Sequence, residues 1–446
     1  MPQPECLFPD AALQHSTIYP IGVYALSGLA ADGERLLTVD AVRGYLIGVD
    51  PRTNDTIVLN PYCVADWIGV NGLTIWQDRF WFAKGQEVCW CSYTTAPQEN
   101  PQTLTPTSFT RLQYPANGVA VWESNVYVSC QKYGYIQIFD RHTGKLIKRF
   151  PQPGVGTETM TVHQDALWVC DRAEQTVYCL DRTTGAIKFS ALTPFSSPTG
   201  IAFYPPADGE EPICYIVYAD EEPYIRDNPN ADSPYQLTFR DRTFIHPLHI
   251  QHHPAAHYTL SSGYLVELSY IEELLPLEAV TLNQVEWRIA LPSNSLRQRI
   301  RHIEPIGREF TIEEQEGQKV AVFKFDRIEP NQGGLLRWKA IIAISWPTPS
   351  LTPADIEASL SLPTELQHRY LVDDDELAMD KPTIIQAAKE AVGTETNVLR
   401  KMLKIRNYVY DRLSYGIQPK IDTPDIALAR GVGSCGEYVG VLLALA

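Results

Sequence analysis

Residues 126–144 read Val126-Tyr-Val-Ser-Cys-Gln-Lys-Tyr-Gly-Tyr-Ile-Gln-Ile-Phe-Asp-Arg-His-Thr-Gly144. They recur without a gap, at an offset of 41 residues, as Leu167-Trp-Val-Cys-Asp-Arg-Ala-Glu-Gln-Thr-Val-Tyr-Cys-Leu-Asp-Arg-Thr-Thr-Gly185. The same frame appears earlier at residues 36–54, and residues 80–91 form a divergent unit in the interval. Short alternating apolar runs predict β-strands. A period near 41 residues with this pattern predicts a β-propeller rather than a helical solenoid.

Tight turns close the repeated units. In Asp140-Arg-His-Thr-Gly144 and Asp181-Arg-Thr-Thr-Gly185, the aspartate can accept hydrogen bonds from the following backbone, and the glycine accepts a positive φ. Asn54 replaces this glycine in the first copy and is the next most tolerant residue for that conformation. With a further unit at residues 200–218, the sequence predicts five or six blades between residues 20 and 245.

The repeat resembles the propeller blades of the quinoprotein, NHL and streptogramin-lyase type, since it lacks the Gly-His and Trp-Asp marks of WD40 repeats. Most propellers recognise ligands or proteins without chemistry of their own. We therefore interpret the cysteines and tryptophans of the blades as core residues. A propeller lyase acting on a small molecule would need a histidine and an acid, for which His163 and Glu158 are the candidates.

A histidine-rich segment follows the repeats. Its histidines are His246, His249, His252, His253 and His257. Histidine clusters can bind metal ions, but Pro247 and Pro254 prevent the regular helix that would place these side chains on one face. No cysteine or carboxylate is adjacent. We interpret residues 246–257 as a proline-punctuated linker in preference to a metal site.

Residues 258–350 carry a second β pattern. Apolar and polar residues alternate over 264–268, 284–291, 319–325 and 336–344, and polar turns separate these runs. The pattern predicts a small antiparallel β-sandwich.

A connector rich in proline and serine follows at residues 347–363. Leu371-Val-Asp-Asp-Asp-Glu376 then supplies four carboxylates, which could bind calcium. The run lacks EF-hand spacing, so we interpret it as a solvated linker. A helix is predicted over residues 382–391, with Asp380 as its cap and Pro382 at its first position.

Cys435 is the candidate catalytic residue. Gly431 and Gly433 interrupt any preceding helix, Ser434 is a good N-cap residue, and apolar residues recur at helical spacing over 439–446. The cysteine therefore falls in the first helical turn. Free backbone N–H groups and the helix dipole there favour the thiolate, which is the nucleophile in acyl transfer. The alternative is a small buried cysteine at a helix start.

The residues around this cysteine follow a recognisable order. An apolar stripe at helical spacing runs from Val398 to Leu413, Ser414-Tyr415-Gly416 breaks it, and an alanine-rich segment leads to Gly433, Cys435 and Tyr438. This order resembles the core of the transglutaminase-like superfamily and covers about the last ninety residues. The resemblance implies an incomplete α+β papain-like core over residues 364–446. Trp287-Arg-Ile-Ala-Leu-Pro292 likewise resembles the β-domain that often precedes this core.

The resemblance implies that Cys435 attacks an amide or peptide carbonyl to form a thioester. In that family a histidine and an aspartate downstream of the cysteine helix complete a triad. No histidine follows His368 in this sequence. We expect a fragment, and the alternatives are that the remaining groups are supplied elsewhere or that the domain is inactive.

Composition limits the partners. The chain of 446 residues has a formal net charge of −16, which opposes binding to nucleic acid and to anionic membranes. No apolar stretch is long enough to span a bilayer, and no secretory signal is visible at Met1-Pro-Gln-Pro-Glu-Cys6. Nine scattered cysteines favour reduced thiols and a cytoplasmic location. We expect no cofactor and no metal.

Two functions are consistent with these residues. The first is acyl transfer by Cys435, as hydrolysis or transamidation, with the propeller binding a protein or peptide substrate. The alternative is a non-catalytic interaction protein whose transglutaminase-like module is degenerate or truncated. The sequence does not indicate an oligomeric state.

Overall fold

The computed structural model describes residues 17–93, 104–205, 211–227, 235–276, 280–315, 317–351, 354, 357, 363–373, 376–417 and 419–446. The protein is mainly β and has several domains. It divides into two compact units, Met1–Ser350 and Leu351–Ala446. Among these described residues, no helix has the length and apolar character needed to cross a bilayer.

Five antiparallel sheets follow one another along the first unit, and each is built from strands consecutive in the chain. The first three contain β1 (Leu26–Ala31), β2 (Leu36–Asp40), β3 (Tyr45–Val49) and β4 (Thr56–Val58); β5 (Val70–Trp76), β6 (Arg79–Lys84), β7 (Glu87–Ser92) and β8 (Thr107–Arg111); and β9 (Gly118–Trp122), β10 (Asn125–Cys130), β11 (Tyr135–Asp140) and β12 (Leu146–Pro151). The last two contain β13 (Thr157–His163), β14 (Ala166–Asp171), β15 (Thr176–Asp181) and β16 (Ile187–Leu192); and β17 (Pro198–Tyr204), β18 (Ile213–Asp227) and β19 (Tyr235–Leu248).

The five sheets are the blades of a closed propeller. The first strands of successive sheets, β1, β5, β9, β13 and β17, pack against one another in turn, and β17 packs against β1. Ile18 forms an antiparallel bridge with Ile245 of β19, so the N-terminal segment adds to the outer edge of the fifth blade. The described residues thus form five blades.

Neighbouring innermost strands of the propeller pack backbone to backbone at several glycines. A Cβ atom at Gly72 would lie 2.8 Å from the Cα atom of Gly118, and one at Gly118 would lie 2.6 Å from that of Thr159. A Cβ atom at Gly200 would lie 2.7 Å from the carbonyl carbon of Gly28. Real Cβ atoms do not approach backbone this closely, so the ring closes only because these positions lack side chains.

The predicted blade turns are confirmed. Asp140 Oδ1 accepts a hydrogen bond of 2.7 Å from the backbone N–H of Thr143, and the chain then reaches Gly144 at φ 68°. Gly185 has φ 77° in the equivalent turn, and Asn54 has φ 63° in the first blade. All three residues occupy the left-handed region that the repeat requires.

The blade cysteines belong to the core, as predicted. Cys63, Cys89, Cys91, Cys130, Cys170, Cys179 and Cys214 are free and buried, whereas Cys6 lies outside the described residues. Trp67 and Trp81 are also fully buried between blades. The other blade tryptophans are half-buried, and Trp76, Trp122 and Trp168 line cavities.

An antiparallel β-sandwich completes the first unit. One sheet contains β20 (Ile250–His253), β21 (Tyr258–Leu274), β26 (Gly334–Pro349) and β23 (Gln298–Pro305), in that order. The other contains β22 (Leu282–Ala290), β25 (Gln318–Ile328) and β24 (Thr311–Gln315). Phe323 and Trp338 are buried among the aliphatic residues between the two sheets.

The interpretation of residues 246–257 as a linker is wrong. His246 and Pro247 lie in β19, opposite Ile216 and Tyr215. His252 and His253 lie in β20 and pair with the start of β21. Proline excludes a helix here but is compatible with a strand, and the pairing partners are not evident from local composition.

The second unit is helical. It contains α1 (Thr364–Tyr370), α2 (Pro382–Val392), α3 (Val398–Arg412), α4 (Pro424–Arg430) and α5 (Cys435–Leu445), with β27 (Ser414–Tyr415) paired in parallel with β28 (Val432–Gly433). Pro382 is the first residue of α2, as predicted, but the cap is Lys381 rather than Asp380. Asp380 is not the cap because Pro382 is the first helical residue, and the extended residue directly before it, Lys381, therefore occupies the cap position.

We expect Gly118→Ala to destabilise the propeller by about 1 to 3 kcal/mol, because its new Cβ atom must displace the backbone of β13. Gly118 lies outside the left-handed region, so backbone strain does not contribute. Gly334→Ala is the matched control, since it too lacks a positive φ and its Cβ atom would meet open space. Urea unfolding followed by tryptophan fluorescence measures the stability of both variants, and equal losses would contradict the close packing of β9 against β13.

Candidate active site

Cys435 is the first residue of α5, and its side chain is exposed. Ser434 is the N-cap residue and has extended backbone angles, with φ −82° and ψ 179°. The predicted helix start is therefore confirmed, and the alternative of a buried cysteine is wrong.

A buried carboxylate fixes the turn that precedes Cys435. Glu437 is 2% exposed, and its Oε2 atom accepts a hydrogen bond of 2.7 Å from the backbone N–H of Ser434. Its Oε1 atom accepts a hydrogen bond of 2.5 Å from Nη2 of Arg430. Arg430 also donates to Asp422 at 2.5 Å and to the carbonyl of Val432 at 2.9 Å. We call Asp422, Arg430 and Glu437 the turn cluster.

The turn cluster stays ionised at neutral pH. The backbone N–H of Ser434 and the guanidinium of Arg430 lower the pKa of Glu437 to about 2. The hydrogen bond from Arg430 also lowers the pKa of Asp422. One cation therefore holds two anions, and this charge-assisted geometry orients the backbone on which Cys435 is placed.

The opposite side of α5 is buried. Val441, Ala444 and Leu445 pack in one apolar core with Ile405 and Val409 of α3. This packing explains why a short helix is stable here, since most helical stability comes from tertiary contacts of the apolar face. The helix thus presents its first residue to solvent from a fixed position.

A second contact ties α5 to the preceding strand pair. The hydroxyl of Tyr438 donates to the carbonyl of Leu413, which directly precedes β27. The chain enters Cys435 from β28, which pairs with β27. The tyrosine and the apolar stripe singled out in the sequence therefore meet around the cysteine helix.

The described residues do not supply the rest of a triad. No hydrogen bond joins the Cys435 thiol to a histidine in the part of the chain that the structure describes. His368 lies in α1, separated in sequence from the cysteine turn by α2, α3 and α4. The sequence pattern placed Cys435 at the helix start but did not reveal the turn cluster, for which Arg430 and Glu437 at a spacing of seven gave no recognisable signal.

The other histidine and acid pair does not form a site. Glu158 and His163 lie five positions apart on the same extended strand β13, which is about 16 Å. Burial raises the pKa of Glu158 to about 7 and lowers that of His163. His163 stacks on Phe203 with ring centroids 4.0 Å apart. The two side chains are not brought together for a lyase reaction.

The metal alternatives gain no support. Among the described residues, no group of three or more histidines, cysteines or carboxylates is arranged to hold a metal ion. In the acidic run, Asp374 and Asp375 lie outside the described residues.

No protein-family model and no curated protein matches the chain. Similar solved structures include glutaminyl cyclase from Myxococcus xanthus, with 13% identity over 52% of this chain and 95% of that one and a TM-score of 0.35. PQQ-bound aldose sugar dehydrogenase from Streptomyces coelicolor has 9% identity over 52% and 97%, with a TM-score of 0.31. A candidate cysteine protease from Cytophaga hutchinsonii has 13% identity over 42% and 65%, with a TM-score of 0.31. These distant likenesses do not identify a reaction.

We expect Cys435 to be alkylated fastest among the described cysteines, because the others are buried. Burial also raises the pKa of Cys89 and Cys179 to about 11 and that of Cys91 to about 12, which suppresses their thiolates. Peptide-resolved labelling with iodoacetamide at neutral pH measures the rates, with Cys435→Ser as control. Faster labelling of any blade cysteine in the folded protein would contradict the arrangement.

Glu437→Gln should destabilise the helical unit at neutral pH, and the difference from wild type should shrink in acid. The carboxylate contributes stability above its unfolded pKa of about 4.3, and this is lost as pH falls towards its folded pKa of about 2. Thermal melting followed by the helical circular dichroism signal at pH 7 and pH 3 measures the stability difference between the variant and wild type. The exposed Glu365→Gln is the control, and a difference independent of pH would refute the ionised turn cluster.

Proposed function

We propose that residues 364–446 carry the nucleophile of a transglutaminase-like acyl-transfer site. The observation that supports this most is the exposed Cys435 thiol at the first position of α5, a helix that is buried on its other side. The turn cluster holds the backbone directly before this thiol. A nucleophile in acyl transfer needs both access to substrate and a fixed position.

The proposed chemistry follows from the position of the thiol. The Cys435 thiolate attacks the carbonyl carbon of a carboxamide or peptide bond, and the carbonyl oxygen becomes an oxyanion. Backbone N–H groups of the first helical turn, at Cys435 and Gly436, have no intrahelical partner and can donate to that oxygen. The C–N bond then breaks, ammonia or an amine leaves with a proton taken from water, and a thioester remains. In the resembled family, water or another amine then resolves the thioester.

No described residue next to Cys435 is assigned as the general base. In the resembled family a histidine takes the thiol proton and returns it to the leaving amine. Because no described histidine contacts Cys435, we propose that the chain forms the thioester once and does not turn over.

The propeller has a separate role in this proposal. Its five rigid blades present loops, and loops on a rigid scaffold commonly carry binding residues. We propose that these loops bind the protein or peptide that carries the acyl group. The rival function is a non-catalytic interaction protein, in which the same loops bind a partner and Cys435 is an ordinary exposed thiol.

Labelling with an electrophilic peptide separates the two functions. The probe is a peptide in which a chloromethyl ketone replaces the glutamine carboxamide. We expect one equivalent of label at Cys435 at a rate that saturates with peptide concentration, since binding precedes reaction. Cys435→Ala should take up no label. Intact-mass spectrometry and a free chloroacetamide control give the rates.

An ordinary exposed thiol behaves differently. Its labelling rate rises linearly with peptide concentration, and glutathione reacts as fast as the protein at equal thiolate concentration. That outcome would overturn the acyl-transfer proposal and favour the interaction protein.

A further inference from the structure

The histidine-rich segment lines a cavity at the junction of the propeller and the sandwich. This cavity has a volume of about 430 Å³. Its walls include Trp168 of β14, Phe189 of β16 and Phe203 of β17, and the segment from Leu248 to His252 also lines it. Its volume lies within the range of about 300 to 1,000 Å³ that is usual for small-molecule sites, which often occur at such junctions.

Aromatic rings dominate one side of the cavity. The ring of Trp168 lies 5.6 Å from that of Phe189 at 77°, and 5.1 Å from that of Phe203 at 60°. The imidazole of His252 stacks on Phe189 with centroids 4.4 Å apart. Trp168 is steeply inclined to both phenylalanines, so the π faces of these three rings point in different directions, whereas His252 lies at 18° to Phe189 and covers one of its faces. Each face carries negative electrostatic potential.

The charge of the cavity wall is negative. Among its described residues, Glu211 is the only carboxylate, and neither lysine nor arginine is present. The other titratable groups of the wall are His249, His252 and Cys214. Burial lowers the pKa of His252 and raises that of Cys214, which favours the neutral form of both groups. The net charge of −16 on the chain adds to the attraction for cations.

We propose that this junction cavity binds a small organic cation of the methylated-ammonium class. Aromatic faces with a nearby carboxylate recognise quaternary ammonium groups, which contact rings directly through their methyl groups. Calcium and magnesium instead require several oxygen ligands, and the wall offers one carboxylate and one amide side chain. An anionic ligand would face Glu211 without any cation in the described wall.

Choline is the probe, and 3,3-dimethyl-1-butanol is its neutral isostere with the same shape. Calorimetric titration of the full chain at constant ionic strength should show choline binding at least about threefold tighter than the isostere, because only choline gains the cation–π attraction. Equal affinity for the two compounds, or no binding of choline at millimolar concentration, would overturn the proposal. This comparison uses the wild-type protein, so it does not depend on the folding of a variant.

Two substitutions assign the effect to this cavity. Glu211→Gln and Phe189→Leu should each weaken choline binding at least about threefold and leave binding of the isostere nearly unchanged. Glu314→Gln, which removes a carboxylate on β24 outside the cavity wall, is the control and should bind choline like the wild type. Choline binding that survives both cavity substitutions would place the site elsewhere and refute the assignment.

Discussion

Backbone packed directly on backbone at the propeller axis is the constraint on which the first unit depends. The five innermost strands pack side by side around the axis, and the space between neighbouring strands admits no side chain at Gly72, Gly118 or Gly200. Once these strands are in contact, each blade is placed relative to its neighbours, and the apolar side chains on the blade faces interlock. The position of the sandwich next to the propeller also depends on this ring, because β16 of the fourth blade packs against β21 and β26.

Much of this fold could be predicted from sequence, because the repeat encodes it several times. The offset of 41 residues located the hairpins, and the turn residues specified the backbone at Gly144 and Gly185. Closure of the ring was not predictable in this way. The bridge between Ile18 and Ile245 joins segments that share no repeat pattern, and one residue pair leaves no periodicity to detect.

The failures have a common physical cause. Residues 246–257 resemble a linker by local composition. In the structure, however, His252 and His253 pair with the start of β21, and His246 lies in β19. Similarly, the start of α5 was predictable from Ser434 and the apolar spacing, whereas the turn cluster was not. Its three charged side chains form hydrogen bonds with one another. These hydrogen bonds depend on the folded geometry rather than on any one segment of the sequence.

The closure of the fifth blade also affects how the protein is made. Thr17 contacts His246 through a hydrogen bond of 2.8 Å between Oγ1 and Nδ1, and these residues are 229 positions apart. At a synthesis rate of about 5 to 20 residues per second, roughly 10 to 45 s separate their emergence from the ribosome. During that interval the four earlier blades emerge one after another without a closed ring, and the terminal strand edges of those already made remain open to pairing with other chains. Slow translation therefore lengthens the period in which the strand edges of a nascent chain can pair with another chain.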